Sequence, residues 1–260
     1  MKKILLQEIA RVVANKRLGG DHFKLVLRSK GIASSAAPGQ FIQIRVSAGT
    51  DPLLRRPISI HRVGAGTLEL LCEIVGKATM ILSEARPGDE LDLIGPLGNG
   101  FGLGCAKAPV LVAGGMGVAP LAFLAEKLSK LKPLVLIGAR SKKQVLCVDE
   151  FRKFGCKVMT ATDDGSLGLK GRVTQLLENV LKGASGPRVN IYACGPRPML
   201  KELSRLSVKY NVPAEISLEE HMSCGIGACL GCVVGTKSGF KRVCKEGPVF
   251  DAGEVIWQEE

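Results

Sequence analysis

Aromatic side chains are scarce, 4% of 260 residues, and they are not interleaved with the basic ones. Single-strand nucleic-acid binders stack bases on such side chains, so the formal net charge of +12 does not point to nucleic acid. The charge is also dispersed: residues 1–62 hold 12 Lys and Arg against 3 Asp and Glu, whereas residues 214–260 hold 4 against 8. A solvated basic surface accounts for it. A disulfide framework is missing too. Nine cysteines is an odd number, and Cys72, Cys105, Cys147, Cys156 and Cys194 lack framework spacing, which excludes a disulfide-stapled secreted protein. The opening MKKILLQEIARVV has no h-region, because Gln7 and Glu8 interrupt its apolar run; a cytoplasmic location is expected. One long uncharged stretch exists, residues 108–125, near the length of a membrane span. Its glycines and proline fall where a buried strand would turn into a helix, so no membrane association is expected. Internal repeats and low-complexity segments are absent.

The remaining four cysteines, Cys224, Cys229, Cys232 and Cys244, sit in and after MSCGIGACLGC, with gaps of four, two and eleven residues. That order is CxxxxCxxC plus a later thiolate, the plant-type [2Fe-2S] pattern. Gly225, Gly227 and Gly231 suit a loop closing around an inorganic core, which needs unusual dihedrals and close backbone approach. Structural zinc is the alternative. Four-cysteine zinc sites usually offer two CxxC-like pairs, and only Cys229 and Cys232 are so spaced.

At this length two or three domains are expected. Up to about residue 103 the pattern is short alternating runs, HFKLVLR (22–28), QFIQIRV (40–46) and TLELLCEIV (67–75), separated by Gly, Pro, Ser and Asn. This predicts an antiparallel β-barrel, with one short helix over 78–85. From 104 to 213 strand and helix units alternate, which predicts a parallel sheet covered by helices. Residues 214–260 form a small cysteine-bearing domain. The fold class is therefore multi-domain, α/β plus β.

Within the α/β domain, AGGMGVAP (113–120) follows a buried strand and opens a helix. There, Gly114, Gly115 and Gly117 would present backbone N–H groups and a helix N-terminus to the phosphates of a dinucleotide. Pro120 stands in the third glycine position of GxGxxG, and a turn that only packs is the alternative. Cys194, Gly195 and Pro196 fall at a strand's carboxyl end, where open α/β sheets bind ligands; taken alone, Cys194 reads first as a packed core cysteine. Arg55 and Arg56 beside Pro57, with Ser59 beyond, suit a pyrophosphate or flavin, or form a surface arginine pair.

Together, RRPISI (55–60), GPLGNGF (95–101), AGGMGVAPL (113–121), ATDDGSLG (161–168), ACGPRPML (193–200) and SLEEHMSCGIGACLGC (217–232) carry a resemblance that covers essentially the whole chain. The sequence resembles the electron-transfer subunits of type B dihydroorotate dehydrogenases, within the ferredoxin-reductase-like flavoproteins. The resemblance implies FAD bound by Arg56, Pro57, Ile58 and Ser59 and by a later turn at Ala78 and Thr79, with Leu71, Cys72 and Glu73 nearby. Three departures stand out: Ala78 replaces a glycine, Cys72 and Glu73 replace an aromatic residue and an arginine, and His221 stands where the family often has arginine. The resemblance further implies hydride transfer between NAD(H) and FAD and single-electron transfer through [2Fe-2S]. The partner implied is an FMN-containing catalytic subunit that oxidises dihydroorotate to orotate in pyrimidine biosynthesis, in a heterotetramer of two of each. Arg140 follows the second strand of the α/β domain, where arginine can favour a 2′-phosphate, whereas the family implies NAD. Two rivals share features of the sequence: another reductase of the superfamily (sulfhydrogenase, sulfite reductase or ferredoxin:NADP oxidoreductase type), and a zinc or redox-sensing module without turnover.

Overall fold

The computed structural model describes residues 5–104, 108–183 and 189–257; Cys105 lies outside them. The alternating runs become a seven-stranded antiparallel sheet of β1 (Leu6–Gly19), β2 (His22–Arg28), β3 (Phe41–Arg45), β4 (Arg56–Ser59), β5 (Arg62–Val63), β6 (Thr67–Glu73) and β7 (Glu90–Leu97), in the order β4-β3-β7-β1-β2-β6-β5. Alternation puts Phe23, Leu25 and Leu27 of β2 and Leu68, Leu70 and Cys72 of β6 into one core, as the two-residue period of a strand requires. The sheet's two edges are consecutive in sequence. Between them the Ile60 N–H donates to Gln40 O (3.0 Å) and the His61 N–H to Glu69 O (2.9 Å), so one bent segment bonds to both flanks and closes the barrel. Helix α1 (Lys30–Ser35) follows β2, and α2 (Lys77–Glu84) follows β6.

The second sheet comprises β8 (Ala108–Gly114), β9 (Leu134–Ala139), β10 (Lys157–Thr162), β11 (Leu169–Lys170), β12 (Val189–Cys194) and β13 (Ala214–Ser217). After β14 (Val233–Thr236) and β15 (Gly239–Arg242), which form a separate hairpin, β16 (Val249–Asp251) completes it. The order is β11-β10-β9-β8-β12-β13-β16, parallel except for β16. Helices α3 (Val118–Lys127) and α4 (Val148–Lys153) cover one face, and α5 (Val173–Gly183) and α6 (Arg197–Tyr210) the other. The chain steps from β8 outward to β9 on one side and later to β12 on the other, which makes the carboxyl ends of β8 and β12 the topological switch point where such sheets hold ligands. Strands β13 and β16, near the two ends of the cysteine-bearing tail, belong to this sheet, and residues 218–248 stand outside it.

Barrel and α/β sheet are fastened together. Phe123 of α3 packs into the barrel core. His61 is fully buried; its Nδ1 lies 2.9 Å from Ala119 O and its Nε2 3.2 Å from the Glu150 carboxylate, which also accepts from Lys24 Nζ at 2.9 Å. Burial opposes the charge on Glu150, but His61 and then Lys24 outweigh it and hold the carboxyl at about 2. No helix among the described residues is long and apolar enough to cross a membrane.

Candidate functional site

Two cavities adjoin at the switch point. The first, about 540 Å³, lies over the ends of β8 and β12 and is lined by Gly114, Gly115, Gly117, Gly195 and Pro196. The second, about 570 Å³, lies between barrel and tail, against Arg56, Pro57, Ile58, Ser59 and Thr79. Glu73, Met116 and Glu219 line both. Desolvation by the cavity walls, reinforced by Glu73, pushes the Glu219 carboxyl above its ordinary range.

The glycines of the first cavity differ in kind. Gly115 has φ +53, and a Cβ there would meet nothing within 4 Å, so its backbone is open to a ligand. A Cβ on Gly117 would lie under 3.0 Å from the Cys194 carbonyl and Gly195 N, and one on Gly195 (φ +159) under 3.0 Å from Gly114 N. The two turns are thus packed backbone to backbone. Pro120 sits in the buried first turn of α3, where its missing N–H costs no hydrogen bond. The Cys194 thiol points into the core, pushed well above its ordinary value by burial and then by Glu219.

Around the second cavity the arginine pair divides. Arg55 donates to Asp92 O at 2.7 Å and to Asp92 Oδ2 at 2.5 Å, which ties β4 to β7. Arg56 donates to Leu54 O at 2.6 Å and lines the cavity. The Thr79 hydroxyl accepts from the N–H groups of Val75 (2.9 Å) and Gly76 (3.2 Å), building the start of α2. Ala78 packs into the barrel core. Leu71, Cys72 and Glu73 border the cavity, and burial pushes the Cys72 thiol to about 12.

The tail loop places four thiols in two neighbouring pairs. Cys224 accepts from the N–H groups of Ala228 (3.3 Å) and Cys229 (3.4 Å), Cys229 from Gly231 N–H (3.5 Å), and Cys232 from Cys244 N–H (3.4 Å). Burial resists ionisation of Cys224, but hydrogen bonds led by the Cys229 N–H draw the thiol down to about 6; burial and then Cys232 push Cys244 to about 12. Arg242 braces the loop by donating to Gly227 O at 2.8 Å, and Glu246 anchors Arg242 (Nε to Oε2, 2.9 Å). From the barrel side, the Asn99 side chain donates to Glu246 O at 2.6 Å. Cys229 is exposed, while Cys232 and Cys244 are buried.

Comparison with known proteins accords with this arrangement. Residues 219–256 match the iron-sulfur cluster binding domain of dihydroorotate dehydrogenase B, and residues 111–205 the oxidoreductase NAD-binding domain. The chain is 44% identical to the dihydroorotate dehydrogenase B (NAD(+)) electron transfer subunit of Desulforamulus reducens, over 96% of this chain and 98% of that one. The chain belongs to that family. The subunit of the same name from Bacillus caldolyticus is 43% identical, over 94% and 96% of the two chains. Among solved structures, an NADH-dependent reduced ferredoxin-NADP oxidoreductase superposes with a TM-score of 0.86 at 30% identity, covering 96% of this chain and 90% of the other. The ferredoxin reductase of carbazole 1,9a-dioxygenase shares the fold, with a TM-score of 0.69 at 24% identity over 80% and 67% of the two chains.

The thiol geometry fits the cluster named by the family. Two pairs, each served by backbone N–H donors, suit two irons. The sequence reading missed Met116 and Glu219 at the junction of the cavities. It also missed Arg242 as the brace of the loop. Glu219 stands inside the motif SLEEHMSCGIGACLGC, so an acid five residues before the first cysteine of the cluster motif was the available signal.

Proposed function

We propose that the chain relays electrons between NAD(H), held in the first cavity, and a separate FMN-containing subunit that oxidises dihydroorotate to orotate, with net flow toward NAD+. The observation that carries this reading is the shared wall of the two cavities: Glu73, Met116 and Glu219 border both, so ligands in the two would meet there without leaving the protein. In the first cavity Gly115 and the start of α3 offer N–H groups to a pyrophosphate. In the second, Arg56 offers a guanidinium to a second pyrophosphate, and Pro57, Ser59 and Thr79 form the bed of a flavin. Cys224, Cys229, Cys232 and Cys244 hold the cluster. Bound FAD supplies the exchange between a hydride and single electrons, and [2Fe-2S] carries those electrons one at a time.

The exit lies on the tail. Cys229 is exposed, and so are Ile226, Leu230 and Val233 near it in the chain and Phe240 on the hairpin that follows. Exposed apolar side chains on the segment that carries a redox centre are what a docking partner covers. The partner is the FMN subunit, in a heterotetramer of two of each, in the cytoplasm and in pyrimidine synthesis. No acid–base site for a carbon acid is assigned to this chain.

Anaerobically purified protein should contain one FAD and one [2Fe-2S], and NADH should reduce its flavin. Alone it should not convert dihydroorotate to orotate; with the FMN subunit it should. Cys229→Ser should stop transfer to the partner while NADH still reduces the flavin. Orotate production by the isolated chain, or normal transfer by the variant, overturns this route.

A further inference from the structure

Gln43 lies in β3 with no solvent exposure, and neither its Oε1 nor its Nε2 has a hydrogen-bond partner among the described residues. Leaving a buried amide unpaired costs about 1–3 kcal/mol, so such a group calls for a partner. Its neighbours Ile42 and Ile44 fill the barrel core. By strand alternation the Gln43 side chain therefore points outward, on the same side as Phe41, and its cross-strand neighbours are Pro57 and Ile94. Phe41 and Pro57 line the second cavity.

What covers Gln43 is the thiol loop. A Cβ on Gly225, the residue after Cys224, would lie under 3.0 Å from Gln43 Nε2, Cγ and Cδ, and Gly225 has φ +70. The loop backbone is thus pressed onto the amide with no side chain between. Backbone N–H groups of Ala228, Cys229, Gly231 and Cys244 donate to the thiols from within this loop. The unpartnered Gln43 amide lies against the same loop at Gly225, the residue next to Cys224.

We infer that the Gln43 amide donates a hydrogen bond to a sulfur of the cluster held by Cys224, Cys229, Cys232 and Cys244, and thereby sets its reduction potential. This rests on the assignment of [2Fe-2S] to those four residues. A donor next to an anionic sulfur favours the form carrying the extra electron, and hydrogen bonds to sulfur are among the factors that set cluster potentials. Gln43 therefore raises the potential and eases electron entry from the cavity side. No electron is added or consumed in this role; the residue shifts an equilibrium.

The test uses the full chain, purified anaerobically with its cofactors, as wild type, Gln43→Leu and Gln43→Met. Iron, sulfide and flavin are quantified, and the cluster is titrated against potential while its reduced state is followed by electron paramagnetic resonance. Both variants should load iron and flavin like wild type. At a fixed potential their ratio of reduced to oxidised cluster should fall about tenfold, equivalent to about 59 mV for one electron, and the resonance should change. Loaded variants with wild-type potential and spectrum would overturn the role of Gln43 alone. Loss of iron from both variants would make the residue a packing element and would overturn it as well. Wild-type protein without iron would overturn the cluster assignment itself.

Discussion

Two substitutions in the glycine turn after β8 should separate packing from ligand approach. Gly117→Ala places a methyl under 3.0 Å from the Cys194 carbonyl and Gly195 N. Both are backbone atoms, so no rotamer change relieves the overlap, and the ends of β8 and β12 must move apart. Overpacking of this kind costs about 1–3 kcal/mol. The cost should be near the upper end, because Gly195 is itself packed against Gly114. Gly115→Asn is the opposite case. Its φ of +53 and open surroundings are tolerated by asparagine better than by other residues with a side chain, so stability should fall by less than about 1 kcal/mol. The new side chain stands where a pyrophosphate would accept from the backbone. Losing one hydrogen bond to a charged group, about 1.5–3 kcal/mol, should raise KM for NADH about 10- to 100-fold. Guanidinium denaturation followed by far-ultraviolet circular dichroism measures the first effect, and steady-state reduction of an artificial acceptor measures the second. A Gly117→Ala protein as stable as wild type would refute the tight turn-to-turn contact. A Gly115→Asn protein with unchanged KM would mean that the turn only packs.

Other outcomes follow from single contacts. Glu150 has a folded pKa of about 2, below its ordinary 4.5, so its contribution is complete above pH 4.5 and fades as pH falls toward 2. Glu150→Gln should cost about 1–2 kcal/mol at pH 7 after allowance for solvent screening; urea denaturation at pH 7 and pH 3 should show the gap closing, and an equal gap at both fails the reasoning. Arg56→Ala should lower FAD retention at least tenfold and leave iron content unchanged, whereas Arg55→Ala should act mainly on stability through Asp92; flavin analysis separates them, and equal flavin in wild type and Arg56→Ala rejects the contact. Arg242→Leu removes the brace on Gly227 O, so a chelator should strip iron from the variant several-fold faster than from wild type, and identical loss rates count against that role.

Much of this molecule is local and therefore readable along the chain. Strand alternation set out the barrel, because a two-residue period reports which face is buried. The repeated strand and helix units announced a parallel sheet, and the gaps between Cys224, Cys229, Cys232 and Cys244 encode a loop that can surround a cluster. Tertiary structure decided what depends on distant segments meeting. Glu73, Met116 and Glu219 come from a barrel strand, a glycine turn and the tail, and their common position at the cavity junction exists only once those three parts pack. Arg55 and Arg56 are equivalent in the sequence until Asp92 on β7 claims the first. Gly117 resembles a phosphate contact until Cys194, 77 residues on, presses its carbonyl against it. Gln43 reads as the polar, solvent-facing position of an alternating strand. It becomes a buried amide because the tail folds back across β3, and burial across such a separation is a property of the packed whole that no local pattern encodes.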